Sequence, residues 1–81
     1  MRREYRVMVK NMTDAPITLT EMGDYEIDPD EELDTNDSSR TGQYWTTFRD
    51  TLRAIEKLPG TQIAQLVAAN DLSYWVTMKL V

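Results

Sequence analysis

The chain has 81 residues, a formal net charge of −5, no cysteine and no histidine. A chain of this length forms one domain and buries roughly 60–65% of its unfolded surface, which leaves a modest net stability. Disulfides are excluded, and a zinc site is nearly excluded because carboxylates alone are poor zinc ligands. A partner subunit is the remaining means by which such a domain gains stability, and folding alone is the alternative, since many domains of about 60 residues do so.

The composition, 41% hydrophobic and 28% charged, is that of an ordinary globular protein. The basic start of the chain is not followed by the apolar run of a signal peptide, and no stretch has the roughly 18 apolar residues of a membrane span. The acidic balance argues against a nucleic-acid-binding protein, which presents a basic face. We therefore expect a soluble domain that binds neither nucleic acid nor membrane.

The first half of the chain alternates between apolar and polar residues, as half-buried strands do. Tyr5, Val7 and Val9 alternate with Arg6 and Lys10. Later alternating segments are short and are separated by turns that contain proline or glycine. The predicted turns are 13–16, 23–24 and 28–31, and the strands that follow them are 17–20, 25–27 and a short segment at Leu33. This pattern predicts a meander of three or four antiparallel strands.

From Ser38 onward the apolar residues recur with the period of a helix. The stripe, with steps of three and four residues, consists of Trp45, Phe48, Leu52, Ile55 and Leu58. It predicts an amphipathic helix of about 12–16 residues that begins at a capping residue and ends at Pro59-Gly60. The candidate caps are Asp37, Ser38, Ser39 and Thr41. We expect Trp45 and Phe48 to lie in the core.

A second, shorter helix is expected after Thr61, which is a suitable N-cap. It carries Ile63, Leu66 and Val67, and Asn70 is a suitable terminator because it tolerates a left-handed backbone. The last segment alternates again. Over residues 1–81 the sequence therefore predicts a single α+β domain with a short antiparallel β-meander, two packed helices and a C-terminal strand.

The acidic residues are unevenly distributed. Nine of the fourteen lie between residues 21 and 37, a stretch with no basic residue. One interpretation is a set of solvated turns and exposed strand faces. The other is an acidic surface that meets a basic patch on a partner and increases the rate of association. Asp30, Glu31 and Glu32 are the candidate interface residues of this segment.

Residues suited to catalysis or metal binding are scarce. The acidic run that starts at Asp28 lacks the glycine and glutamate of a calcium loop, because its sixth and twelfth positions are Leu33 and Ser39. Without histidine or cysteine, no serine has a plausible general base. The isolated glycines form no phosphate-binding loop. We therefore expect no enzymatic activity, no metal, no cofactor and no small-molecule substrate.

The predicted C-terminal strand, 72–81, is the longest alternating run. One face carries Leu72, Tyr74, Val76, Met78 and Leu80, and the other carries Ser73, Trp75, Thr77, Lys79 and Val81. Lys79 is the only charge after Asp71, although natural monomers usually protect a sheet edge with charge or proline. We hypothesise that this strand pairs internally through one edge and contacts a subunit or partner through the other, with Trp75 and Lys79 in the interface. Burial of Trp75 within a two-sided central strand is the alternative.

Several short motifs resemble those of small bacteriophage virion structural proteins, the accessory proteins of head, neck and tail. In chain order they are Val9-Lys10-Asn11, Ala15-Pro16-Ile17-Thr18-Leu19, Gly23, Tyr25-Glu26-Ile27, Pro29-Asp30-Glu31-Glu32-Leu33-Asp34 and Leu66-Val67-Ala68-Ala69-Asn70-Asp71-Leu72. Asn70 stands where such proteins usually have glycine, a mild departure because both residues tolerate a left-handed backbone. The motifs cover about two-thirds of the chain, and the segment 43–58 lies outside them.

The resemblance implies a virion component that assembles in the host cytoplasm and binds other virion proteins in many symmetric copies. The expected function is that of a structural or assembly protein, such as a decoration, neck or tail-adaptor subunit, which docks by protein–protein contact. The acidic segment supports an alternative function, a small acidic intracellular inhibitor or regulatory binding protein.

Overall fold

The computed structural model describes residues 1–37 and 47–81, and within them five strands and two α-helices follow one another along the chain. The elements are β1 (Arg3–Asn11), β2 (Ile17–Leu19), a 3-10 helix (Thr20–Met22), β3 (Tyr25–Ile27), β4 (Glu32–Asp34), α1 (Phe48–Glu56), α2 (Gln62–Ala68) and β5 (Leu72–Leu80). Short strands and turns fill the first half, and both helices precede the last strand. The predicted α+β class is confirmed.

The two nine-residue strands, β1 and β5, form an antiparallel pair along their whole length, from Arg3 opposite Leu80 to Asn11 opposite Leu72. β4 pairs with the other edge of β1, which gives the strand order β4-β1-β5. β2 and β3 form a separate two-stranded antiparallel sheet. The predicted C-terminal strand therefore rejoins the sheet that the first strand begins.

Strand pairing departs from a simple meander in that β1 pairs with β4 and β5 rather than with β2. A buried asparagine at the end of β1 accounts for the departure. The Asn11 amide donates hydrogen bonds to the carbonyls of Ala15 and Ile27, both at 2.9 Å, and its oxygen accepts the Thr13 N–H at 2.8 Å. These bonds join the end of β1 to the turn before Pro16 and to the end of β3, and so connect the second sheet to the first.

One hydrophobic core lies between the three-stranded sheet, the β2-β3 hairpin and the helices. Its buried members come from every element, and they are Val7, Val9, Leu19, Met22, Ile27, Leu33, Ala54, Ile55, Ile63 and Leu72. The predicted inward alternation of β1 and the predicted burial of Leu33 are confirmed. Met22 was not expected in the core. It is buried because the 3-10 helix turns it inward, before Gly23 and Asp24 return the chain in left-handed conformations.

α1 is shorter than predicted, at nine residues. Thr47 is extended, and its hydroxyl accepts the Asp50 N–H at 3.2 Å, so the helix begins at Phe48. Of the predicted caps, Asp37 lies in no helix, and Ser38, Ser39 and Thr41 lie outside the described residues, as does Trp45. Phe48 packs against the core from a partly buried position, and its ring stacks on Tyr5 with centroids 5.3 Å apart.

The buried face of α1 is rotated from the predicted stripe. Thr51, Ala54 and Ile55 are buried, and Leu52 is only partly buried. The Thr51 hydroxyl donates to the Thr47 carbonyl at 3.2 Å and accepts from the Asn36 amide at 3.4 Å, and these bonds allow a polar residue to be buried. Leu58 is 42% exposed because the helix ends at Glu56, so the predicted extension of the stripe to this residue is wrong.

α2 matches its prediction and is bonded to the hairpin. The Thr61 hydroxyl accepts the Ala64 N–H at 3.2 Å, and Asn70 is left-handed with φ of 62°. Gln62 accepts the Thr20 N–H at 2.9 Å and donates to the Thr18 carbonyl at 2.8 Å. These two bonds cover an outer edge of β2, so this sheet edge is protected by a side chain of the same domain.

Candidate docking surface

β5 lies at the end of the strand order β4-β1-β5. One of its edges pairs with β1, and within residues 1–37 and 47–81 no strand pairs with the other. We call this second edge the free edge of β5. The part of our hypothesis that placed the strand at a sheet edge, paired through one side, is confirmed. A central position for the strand is wrong for the described residues.

The phase of the β1–β5 ladder decides which backbone groups face the free edge. Arg2 and Val81 exchange two N–H···O bonds of 2.8 Å, and the Met12 N–H donates to the Asp71 carbonyl at 2.9 Å. Hydrogen-bonded pairs alternate along an antiparallel ladder, so the odd-numbered residues of β5 point their backbone groups at β1. The even-numbered residues point theirs outward. The outward groups belong to Leu72, Tyr74, Val76, Met78 and Leu80.

The side chains of these even-numbered residues share the core-facing side of the sheet, and their burial falls along the strand. Leu72 is buried and Tyr74 partly buried, but Val76, Met78 and Leu80 are 43%, 51% and 52% exposed. Three successive outward-facing positions of one strand therefore carry exposed apolar side chains beside backbone groups that point to the free edge. A partner strand at this edge would cover both.

The opposite side of the sheet, which we call the outer face, carries Trp75 and Lys79. Trp75 is partly buried and lies opposite Met8 of β1, and Lys79 lies opposite Glu4. Trp75 thus lies neither in the core nor fully in solvent, and its role as a partner anchor stays a prediction. Its position at the middle of the edge strand fits that role.

Arg6 organises the charges of the outer face. Its guanidinium donates two hydrogen bonds to the Glu4 carboxylate and lies 3.6 Å from a carboxylate oxygen of Asp34. The hydrogen bond from Arg6, and then its positive charge, lower the pKa of the Glu4 carboxyl below its ordinary value. Glu4 therefore stays ionised on mild acidification, and a negative charge remains beside Lys79 on the neighbouring strand.

The predicted acidic residues have different structural roles. The Glu31 carboxylate accepts the Asp28 N–H at 2.9 Å and the Tyr25 hydroxyl, so it stabilises the 28–31 turn. Asp30 is exposed with a left-handed φ of 63° in the same turn. Glu32 lies on the outer face of β4, opposite Lys10. Asp30 and Glu32 can face a partner, whereas Glu31 is partly committed within the domain.

The structure does not bring the acidic residues together with Trp75 and Lys79. Asp30 and Glu32 border the β4 edge of the sheet, and β1 lies between them and β5. The sequence did not reveal the exposed half of β5, because its alternation divided the strand into two faces without showing how much of either face is buried. One signal of this exposure was present in the sequence. The core-facing side of the strand ends in the apolar residues Met78 and Leu80, and a domain of 81 residues is too small to bury so long an apolar face completely.

Other kinds of site are not seen in the described residues. They contain no group of three potential metal ligands and no detectable cavity. None of the described helices is long and apolar enough to cross a membrane. No protein-family model, no curated protein and no solved structure matches the chain.

Proposed function

We propose that this chain is a structural or assembly protein that docks by protein–protein contact through the free edge of β5, on a further subunit or on another protein. The single observation that carries the proposal is the free edge itself, where outward backbone groups coincide with exposed Val76, Met78 and Leu80. Natural monomers usually blunt such an edge with charge, proline or a bulge. β5 contains no proline and only Lys79 as a charge.

Strand addition is the docking mode that suits this edge. A partner strand would pair with the outward backbone groups of β5, and each net hydrogen bond contributes about 0.5–1.5 kcal/mol. Alternate side chains would then supply specificity, with the exposed apolar residues on one side and Trp75 on the other. A ring of Trp75 buried in such a contact is the kind of aromatic anchor that carries much of the binding energy of an interface.

The placement in a bacteriophage particle is supported by the motif resemblance, which spans both the β2–β4 region and the end of α2. In a particle the same contact recurs in symmetric copies. A strand contact of modest affinity then holds the subunit firmly, because linked contacts multiply the effective concentration of the docking edge. The subunit would serve as a decoration, neck or tail-adaptor protein.

The test compares particles with lysate. The tagged chain is produced during phage growth, particles are purified on a density gradient, and the chain is quantified in both fractions. We expect stoichiometric recovery in the particles. Recovery only in the soluble lysate would contradict the proposal and favour the acidic regulatory protein.

A matched pair of variants tests the edge. Met78 and Met12 are 51% and 52% exposed, but only Met78 lies on the free edge. A lysine at an edge strand opposes strand addition. We therefore expect Met78→Lys to be lost from the particles and Met12→Lys to be retained, with both variants folded by circular dichroism. Equal incorporation of the two would exclude the β5 edge as the docking surface.

A further inference from the structure

We infer that the partner at the free edge of β5 is a second copy of the same chain, paired antiparallel about a twofold axis at Trp75. The inference rests on the proposed function only in taking this edge as the docking surface. It joins two three-stranded sheets into one six-stranded sheet. Two observations identify the second copy as the partner: which backbone groups of β5 point outward, and where the charges of Asp71 and Lys79 lie.

The ladder phase fixes which residues of the two copies meet. Because even-numbered residues of β5 point their backbone groups outward, they must form the hydrogen-bonded pairs of a β5–β5 ladder. The odd-numbered residues then form the non-hydrogen-bonded pairs, in which side chains of opposite strands approach most closely. These are the residues of the outer face, Trp75 and Lys79 among them.

The charges select one register. Between Asp71 and the end of β5, Asp71 and Lys79 are the only charged residues. Neither forms a salt bridge within the described part of the chain. An antiparallel pair centred on Trp75 sets Asp71 of each copy opposite Lys79 of the other, since both lie four residues from the centre. A pair centred on Lys79 would instead oppose two like charges, which is destabilising.

The remaining contacts of this register are also complementary. Ser73 faces Thr77 of the second copy, and the two Trp75 rings face each other, a favourable cross-strand aromatic pair. On the core-facing side, exposed Val76 lies opposite the partly buried Tyr74 of the second copy, and exposed Met78 lies opposite its Leu72, which is buried within its own domain. Lys79 also lies opposite Glu4 on its own β1, so it would stand between two carboxylates. The same strand, β5, therefore forms the interface in both copies.

Engineered cysteines test the register directly, because the chain has no cysteine of its own. Ser73→Cys and Thr77→Cys are made separately, one of them tagged, and are oxidised alone and as a mixture. In the proposed register the thiol introduced at position 73 of one copy faces the thiol introduced at position 77 of the other. Identical positions of the two copies lie about 13 Å apart, beyond disulfide reach. We expect disulfide-linked heterodimer in the mixture and at least tenfold less homodimer in either variant alone.

Exchanging the two charges tests the pairing of Asp71 in one copy with Lys79 in the other. Sedimentation equilibrium from about 1 µM to 1 mM gives the dimer dissociation constant. Asp71→Lys and Lys79→Asp each create like-charge pairs, and we expect each to weaken the dimer about tenfold. The double variant Asp71→Lys/Lys79→Asp should return to within about threefold of the natural chain. Rescue within one chain is not possible, because the two positions lie about 26 Å apart along the strand.

Several results would overturn the inference. They are a monomer throughout this concentration range, a homodimer cross-link in a single variant as strong as that in the mixture, or a double variant no better than the singles. A monomeric protein that is nevertheless recovered in particles, and is lost from them through Met78→Lys, would overturn only the self-pairing. The proposed function would then stand with a different strand as partner.

Discussion

Asn11 shows how one buried polar residue can determine the path of the chain. Its side chain is fully buried, yet each of its hydrogen-bonding atoms has a partner in the backbone of residues 13, 15 and 27 or in the Thr13 hydroxyl. A satisfied buried amide is tolerated, whereas its removal takes away the donor to the buried Ile27 carbonyl. The geometry of the turn and the start of the second sheet both depend on this residue.

We therefore predict that Asn11→Ala lowers the free energy of unfolding by about 2–4 kcal/mol, enough to unfold a large fraction of so small a domain. Urea denaturation followed by circular dichroism measures the loss. Met12→Ala, at the neighbouring exposed position, is the control and should change stability by about 0.5 kcal/mol or less. Similar stability of Asn11→Ala and the natural chain would show that the turn forms without the side chain.

The sequence contained part of this information. The period of two that places Val7 and Val9 in the core also places Asn11 on the core-facing side of β1. Val7 and Val9 are buried as predicted. What the alternation could not supply was the partner set of the amide, because Ile27 lies sixteen residues away and is brought close only by tertiary structure. The prediction therefore included the turn but not the residue that holds it.

At the scale of elements, periodicity identified the helices and strands better than it identified their faces. The stripe through Phe48, Leu52 and Ile55 correctly indicated a helix, but the buried face is centred on Thr51, Ala54 and Ile55. A polar Thr51 is invisible to a hydrophobic pattern, and its burial is tolerated because its hydroxyl donates to the Thr47 carbonyl and accepts from the Asn36 amide. The docking surface was likewise predicted only in part. Alternation shows which residues of β5 share a face, but it does not show how much of that face the helices cover.

The phase of the β1–β5 ladder leads to a prediction that compares two neighbouring positions. The Thr77 N–H points at Arg6 of β1, whereas the Val76 N–H points to the free edge. Proline is tolerated in an edge strand only where its missing N–H faces outward. Thr77→Pro should therefore cost about 2–4 kcal/mol of stability, and Val76→Pro about 1 kcal/mol or less.

Urea midpoints, measured at low protein concentration so that self-association does not contribute, check this difference. The two variants are matched in the residue introduced and are adjacent on one exposed stretch of β5. Equal losses of stability would contradict the assignment of inward and outward residues in β5. A larger loss for Val76→Pro would show that the two sets are assigned the wrong way round. The β5–β5 register would then also be wrong.

At the scale of the whole molecule, charge opposes the meeting of two copies while local pairs favour it. Each copy carries a net charge of −5, and changing Asp30, Glu31 and Glu32 to amides would reduce this to −2, since −5 + 3 = −2. Gln at position 31 keeps an acceptor for the Asp28 N–H, so the turn is preserved. These three residues border the β4 edge, away from β5, so the change acts through long-range repulsion.

The size of the repulsion sets the expected effect of the triple variant. For two such copies about 25 Å apart in water of about 0.01 M salt, Coulomb's law with a Debye length of about 30 Å gives a repulsion of about 2 kcal/mol, which falls to about 0.3 kcal/mol in the variant. We predict that Asp30→Asn/Glu31→Gln/Glu32→Gln strengthens dimerisation about tenfold at low salt. At about 0.15 M salt the difference should vanish, because screening removes the repulsion.

A basic docking partner predicts the opposite effect of the triple variant, which would then associate with that partner more slowly and with a flatter salt dependence. Sedimentation equilibrium on the purified chain and stopped-flow binding to the partner separate the two. Dimerisation that does not change in either salt would show that the acidic segment is solvated and has no part in assembly.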